Sequence, residues 1–216
     1  MKKKIGIIGS GDVGKTLAVG FADKGYEVMI GSRTPAKLDG WKSGLQSGVR
    51  SGTFAEAARF GETLVYAVKG EAATEALNSI DRTLLKGKTV LDTTNPIDGG
   101  EAADGVIRFF TGRDESLMEE LQGEAPGANF VKAWNSVGSA GMVDPVFPGG
   151  KPTMFICGDS DAAKQEARAV LEEFGWEVAD MGTARAARAI EPLCILWCIP
   201  GFRENDWNHA FKLLRK

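Results

Sequence analysis

Histidine occurs once, cysteine three times, and the net charge is only −3; each scarcity excludes a chemistry. Many alcohol and hydroxy-acid dehydrogenases move the hydroxyl proton with a positioned histidine. Here the single histidine, His209, sits in a Lys/Arg-rich tail, where an exposed terminal side chain is the expectation. A histidine-based carbonyl reductase is therefore disfavoured. An odd cysteine count does not make a disulfide framework. Cys157, Cys194 and Cys198 with one distant histidine cannot assemble a convincing zinc ligand set, so buried packing is their expected role and no metal ligand is named. With 26 basic against 29 acidic residues, nothing attracts nucleic acid non-specifically. The longest apolar run, Leu193 to Ile199, is bounded by Pro192 and Pro200 and falls far short of the roughly 20 residues that span a bilayer. No membrane partner is expected. Met1-Lys2-Lys3-Lys4 runs into a strand-like segment rather than an apolar signal core, so a reducing cytoplasm is the expected location.

What is present is alternation. The 216 residues suit one domain, or a domain with an appendage. Ile5-Gly6-Ile7-Ile8 reads as a strand, and from Val13 the pattern turns helical, with Val13, Leu17 and Phe21 on one face before Lys24-Gly25 closes it. Glu27–Ile30 reads as a second strand and Lys37–Leu45 as a weaker helix, completing a βαβ unit. Helix-like Phe54–Phe60, Glu71–Ser79 and Glu115–Leu121 alternate with strand-like Leu64–Val68, Thr89–Leu91 and Asn129–Ala133. Strand-like Thr153–Cys157, helix-like Asp161–Phe174, strand-like Glu177–Ala179 and a last apolar helix from Ala184, kinked at Pro192, follow. The expected fold is α/β: a doubly wound, mostly parallel Rossmann sheet with a small C-terminal α/β portion. Gly138–Pro152, rich in Gly and Pro, is the expected boundary.

Two motifs overlap in one loop. Gly9-Ser10-Gly11-Asp12-Val13-Gly14 matches the dinucleotide fingerprint, in which the first glycine turns the chain, the second admits pyrophosphate and the third lets helix pack on strand. Extended to Gly14-Lys15-Thr16, the same letters satisfy the triphosphatase pattern, and Val90-Leu91-Asp92 could pass for its magnesium-binding aspartate. The phase of Val13 with Leu17 and Phe21 places Val13 in a helix already under way, which favours the dinucleotide reading. Asp12 would be repelled by pyrophosphate but can cap free N–H groups at a helix start.

An NAD site usually carries Asp or Glu at the end of its second strand. This chain has Gly31-Ser32-Arg33-Thr34 there, with Lys37 one turn on. Hydroxyls and a guanidinium are what a 2′-phosphate requires, so NADP(H) is the expected cofactor.

These residues join Asn95-Pro96 after a strand, Val131-Lys132-Ala133-Trp134-Asn135, and Phe155-Ile156-Cys157-Gly158-Asp159 ahead of an amphipathic helix. On them the chain resembles, over nearly its whole length, the NADP-dependent oxidoreductases of the deazaflavin coenzyme. It is also similar to the cytosolic domain of the six-transmembrane metalloreductases. The resemblance implies a Rossmann domain at 1–137 and a substrate or dimerisation portion at 138–216. It implies nicotinamide in the cleft between them, facing a flavin-like hydride carrier, and a homodimer. By the same resemblance the glycine loop Gly9, Gly11 and Gly14 with Ser10 and Val13 would hold the pyrophosphate, Asp12 is counted with the cofactor-binding residues as part of that loop, and Ser32, Arg33 and Thr34, with Lys37 nearby, would hold the adenosine phosphate. Ala67, Val68 and Lys69 would lie along the ribose and nicotinamide, and Asn95 is counted with the cofactor-binding residues. Where the family has a histidine beside the acceptor, this chain offers Trp134 and Asn135 as substrate contacts.

Hydride transfer between two bound rings needs chiefly alignment, so no catalytic residue is named. Three readings follow: hydride exchange between NADP(H) and a deazaflavin or flavin, a small NADPH-dependent imine or carbonyl reductase, and a non-catalytic NADP(H)-binding module.

Overall fold

The structure, a computed structural model, describes residues 2–46 and 48–216; Met1 of the basic N-terminal run lies outside them. Strand β1 (Lys4–Ile8) leads through a glycine turn into helix α1 (Asp12–Asp23) and strand β2 (Glu27–Gly31). Then come α2 (Asp39–Ser43), β3 (Arg50–Gly52), α3 (Phe54–Phe60), β4 (Thr63–Tyr66), α4 (Ala73–Asn78) and β5 (Thr89–Asp92). α5 (Leu117–Glu124) and β6 (Asn129–Lys132) complete the main sheet. β7 (Thr153–Ile156), α6 (Asp161–Glu173) and β8 (Glu177–Asp180) form a smaller βαβ unit, followed by α7 (Ala187–Ile190) and α8 (Leu193–Glu204).

The six strands of the main sheet run in the order β3-β2-β1-β4-β5-β6, all parallel. This is the doubly wound Rossmann order. The chain leaves β1 towards β2 and β3, then returns to the other side of β1 for β4 and β5. The loops after β1 and β4 thus part in opposite directions and leave a crevice at the carboxyl ends of the strands. Both faces of the sheet are covered, which is why β4 and β5 are buried at every position.

Ile5, Ile7, Leu17 and Phe21 share one buried cluster with Met154, Leu171, Phe174 and Trp176. Residues from both sides of the expected boundary at 138 therefore share one core cluster, although β7 and β8 form a sheet of their own. Two expectations are corrected. The apolar C-terminal segment is two helices rather than one kinked helix: α7 ends before Pro192, which caps the N-terminus of α8, where its missing N–H costs nothing, while Pro200 lies inside α8. His209 is half-buried, stacked on Trp197 with ring centroids 5.1 Å apart, its Nε2 lying 2.9 Å from the Trp197 carbonyl oxygen. β3 escaped the sequence pattern because Arg50-Ser51-Gly52 carries no apolar alternation. Among the described residues no helix is long and apolar enough to cross a membrane.

Candidate functional site

A cleft of about 850 Å³ runs across the carboxyl ends of β2, β1, β4 and β5. Its walls include Gly9–Val13 from the first turn, Ser32–Thr34 and Lys37 beyond β2, Ala67–Lys69 beyond β4 and Thr93–Asn95 beyond β5. The structure thus brings the sequence-predicted cofactor residues into one cavity, with Gly14 alone behind it.

The three glycines have separable roles. Gly9 has φ +119°, and a Cβ there would lie 2.1 Å from the Ala67 carbonyl oxygen, so only glycine makes the turn. At Gly14 a Cβ would lie 2.2 Å from the Gly9 carbonyl oxygen, so this glycine serves contact between helix and turn. A Cβ on Gly11 would meet nothing within 4 Å. No neighbour in the chain requires glycine at position 11; a ligand seated against the loop would. Gly11 also caps α1 without a side-chain hydrogen bond, leaving the first N–H groups and the positive end of the helix turned to that space. This corrects the expected role of Asp12: it is the first helical residue, and its carboxylate makes no cap bond.

The competing triphosphatase motif is taken apart by geometry. The Lys15 ammonium lies over the Trp41 ring, 5.8 Å from its centroid, and is not part of the cleft wall. Asp92 is fully buried with its Oδ2 2.6 Å from Lys132 Nζ, so it is not available to a metal ion.

At the β2 end, the Ser10 hydroxyl donates to Ser32 Oγ at 3.1 Å, and Ser32 Oγ accepts the Thr34 N–H at 3.1 Å. The glycine loop and the strand end are thereby joined, with Arg33, Thr34 and Lys37 exposed around them. Phe54, which opens α3, lines the same end. The sequence signal for it was the capping box Thr53-x-x-Glu56: Glu56 N–H donates to Thr53 Oγ1 at 3.2 Å, and Thr53 N–H to Glu56 Oε2 at 2.7 Å. Three carboxylates, Asp12, Glu71 and Glu75, also line the cleft.

At the β5 end, Thr93 and Thr94 were missed, although Asp92-Thr93-Thr94 is an Asx-type turn in sequence: Asp92 Oδ1 accepts from Thr94 N–H at 2.9 Å and Thr94 Oγ1 at 2.7 Å. Lys132 Nζ, wholly buried, contacts Asp92 and, at 2.8 Å, Glu191. Burial alone would lower its pKa, but the two carboxylates outweigh that and raise it.

The predicted substrate contacts do not reach the cleft. Trp134 has no exposed surface, and its indole N–H donates to the Met142 carbonyl at 3.1 Å while the ring packs edge-on against Phe21 and Phe174. Its φ of +56° turns the chain so that the indole enters the core. Asn135 is 2% exposed and lies behind Asn95: its Nδ2 donates to Asn95 Oδ1 at 3.3 Å and to the Ile190 carbonyl at 2.9 Å. Asn95, which does line the cleft, donates to the Asn135 carbonyl at 2.7 Å.

Strand order, glycine loop and cleft define a Rossmann dinucleotide-binding protein. Residues 4–96 match the family described as NADP oxidoreductase, coenzyme F420-dependent. A crystal structure from Arthrobacter sp. FB24, provisionally named an F420-dependent NADP-reductase, superposes with a TM-score of 0.91 at 32% identity, covering 99% of this chain and all of that one. The F420-dependent NADP reductase of Methanothermobacter marburgensis is 29% identical over 203 residues, 88% of each chain. Rat Metalloreductase STEAP3 is 30% identical over 202 residues, 91% of this chain but 38% of its own length. The chain therefore spans well under half of that metalloreductase. It belongs to the F420-dependent NADP oxidoreductase family and is an NADP-dependent oxidoreductase.

Proposed function

We propose that the chain transfers a hydride between NADP(H) lying along this cleft and a deazaflavin or flavin-type ring. In this reading the adenosine 2′-phosphate meets Ser32, Arg33 and Thr34, with Lys37 adjacent. The pyrophosphate lies over Gly9–Val13 at the positive end of α1, and the nicotinamide lies against Ala67–Lys69 and Thr93–Asn95. The carrying observation is the unoccluded face of Gly11 between a cationic strand end and the β4 and β5 loops. Bound NADP(H) supplies the hydride chemistry; the protein aligns the two rings and holds water away.

A deazaflavin or flavin acceptor is favoured by the names of the relatives and by the lack of a histidine acid at the cleft. His209 is engaged with Trp197, so reduction of a carbonyl would lack its usual proton donor. The functional unit in this proposal is a homodimer, as the family resemblance implies.

The test is to mix the protein with NADPH and, in turn, a 5-deazaflavin, FAD, FMN and a panel of carbonyls and imines, following loss of nicotinamide absorbance. Turnover with the deazaflavin or a flavin supports the assignment. Turnover confined to carbonyls or imines overturns the acceptor, and no turnover with any favours a binding module.

A further inference from the structure

We propose that Lys132 is a positioning residue for the nicotinamide half of the cofactor, holding the Thr94–Asn95 wall of the cleft from behind. The proposal rests on the cofactor orientation given above. Lys132 ends β6 and is paired in register with Asp92, the last residue of β5. Besides its two carboxylate contacts, its Nζ donates to the Thr94 carbonyl at 2.9 Å. Asp92 holds the same residue from the other side, through the Thr94 N–H and hydroxyl. The backbone of Thr94 is thus pinned at both its donor and its acceptor by one buried ion pair.

The support extends along the wall and away from it. Asn95, the next residue, is bracketed by Asn135, three residues past Lys132, through reciprocal amide contacts. Asn135 reaches the Ile190 carbonyl, and Lys132 reaches Glu191. The Glu191 carboxylate in turn accepts the Leu117 and Met118 N–H groups, both at 3.0 Å, at the N-terminus of α5. The α7–α8 junction and α5 therefore brace the cleft wall beyond β5 through one lysine. Replacing a buried ion pair with apolar groups is often neutral for stability, so stability alone is a weak reason for a lysine here. The fixed carbonyl and N–H of a cleft-lining residue are a stronger one, because a wall that does not move leaves less ordering to be done when the cofactor binds.

The test separates the two halves of the cofactor. The paired substitution Lys132→Met with Asp92→Asn removes one charge of each sign and leaves Glu191 on the α5 amides. NADPH and 2′,5′-ADP, which lacks the nicotinamide, are titrated against wild type and variant, with the folded fraction checked by circular dichroism. A loss of NADPH affinity of about tenfold, the scale of one hydrogen bond, with 2′,5′-ADP nearly unaffected, is the expected result. Equal loss for both ligands, or no loss for either in folded protein, overturns the assignment. Hydrogen exchange of the cofactor-free wild type covers the case of a variant that does not fold: the Thr94 amide should already be protected and unchanged by NADP⁺. Free exchange until NADP⁺ is added overturns the proposal. A wild type that binds neither ligand overturns the cofactor orientation and this assignment with it, whatever the exchange data.

Discussion

Ser10 and Ser32, 22 residues apart, meet through their hydroxyls at 3.1 Å. That contact ties the turn after β1 to the end of β2. The chemistry proposed for pyrophosphate and for 2′-phosphate thus sits on one rigid piece of the protein, and Arg33 follows directly from it.

Arg33→Ala should weaken NADPH binding by roughly 1.5–3 kcal/mol, the scale of a charge-assisted hydrogen bond. NADH binding should barely change. Fluorescence titration with both cofactors checks this; equal losses would refute a 2′-phosphate role.

Gly11→Ala and Gly14→Ala should fail in different ways. The first adds a methyl group where the protein itself offers no contact, so thermal stability should hold while NADPH affinity falls by about tenfold or more. The second drives a methyl group against the Gly9 carbonyl, so the melting temperature itself should drop. Calorimetry alongside cofactor titration distinguishes them, and a stable Gly14→Ala protein would contradict the packing argument.

Trp134→Ala should cost about 3–5 kcal/mol of stability, as for other large buried aromatics. NADPH affinity of the protein that remains folded should be unchanged, because the indole lies wholly in the core. Denaturant unfolding measures the first quantity. A loss of cofactor affinity without a loss of stability would return Trp134 to the cleft.

Glu166 supplies a pH dependence. Burial would raise its pKa, but hydrogen bonds from Lys3, Thr63 and Thr89 outweigh burial and hold it below the ordinary carboxylate value. A folded-state pKa depressed in this way contributes stability that is fully present above the unfolded value, near pH 4.3, and is lost as pH falls through the lower folded value. Glu166→Gln should therefore destabilise the protein at neutral pH and flatten its stability profile in acid. Parallel profiles for the two proteins below pH 5 would rule out this carboxylate as a contributor.

The amino-acid sequence by itself determined the alternation of strands and helices, the glycine turn and the character of the β2 end. Each depends on residues close together in the chain. The phase of Val13 with Leu17 and Phe21 distinguished two motifs sharing the same letters, and Ser32-Arg33-Thr34 needed only its place after a strand. Tertiary structure decided what lies behind the far end of the cleft. Asp92, Lys132 and Glu191 form one charge cluster because the parallel register sets β5 beside β6 and the α7–α8 junction packs over their ends. No spacing in the sequence encodes that meeting. The direction of Trp134 was equally hidden. Strand alternation stops at Lys132, and the left-handed backbone at Trp134, selected by packing against Phe21 and Phe174, sends into the core a side chain that the family resemblance had placed beside the acceptor.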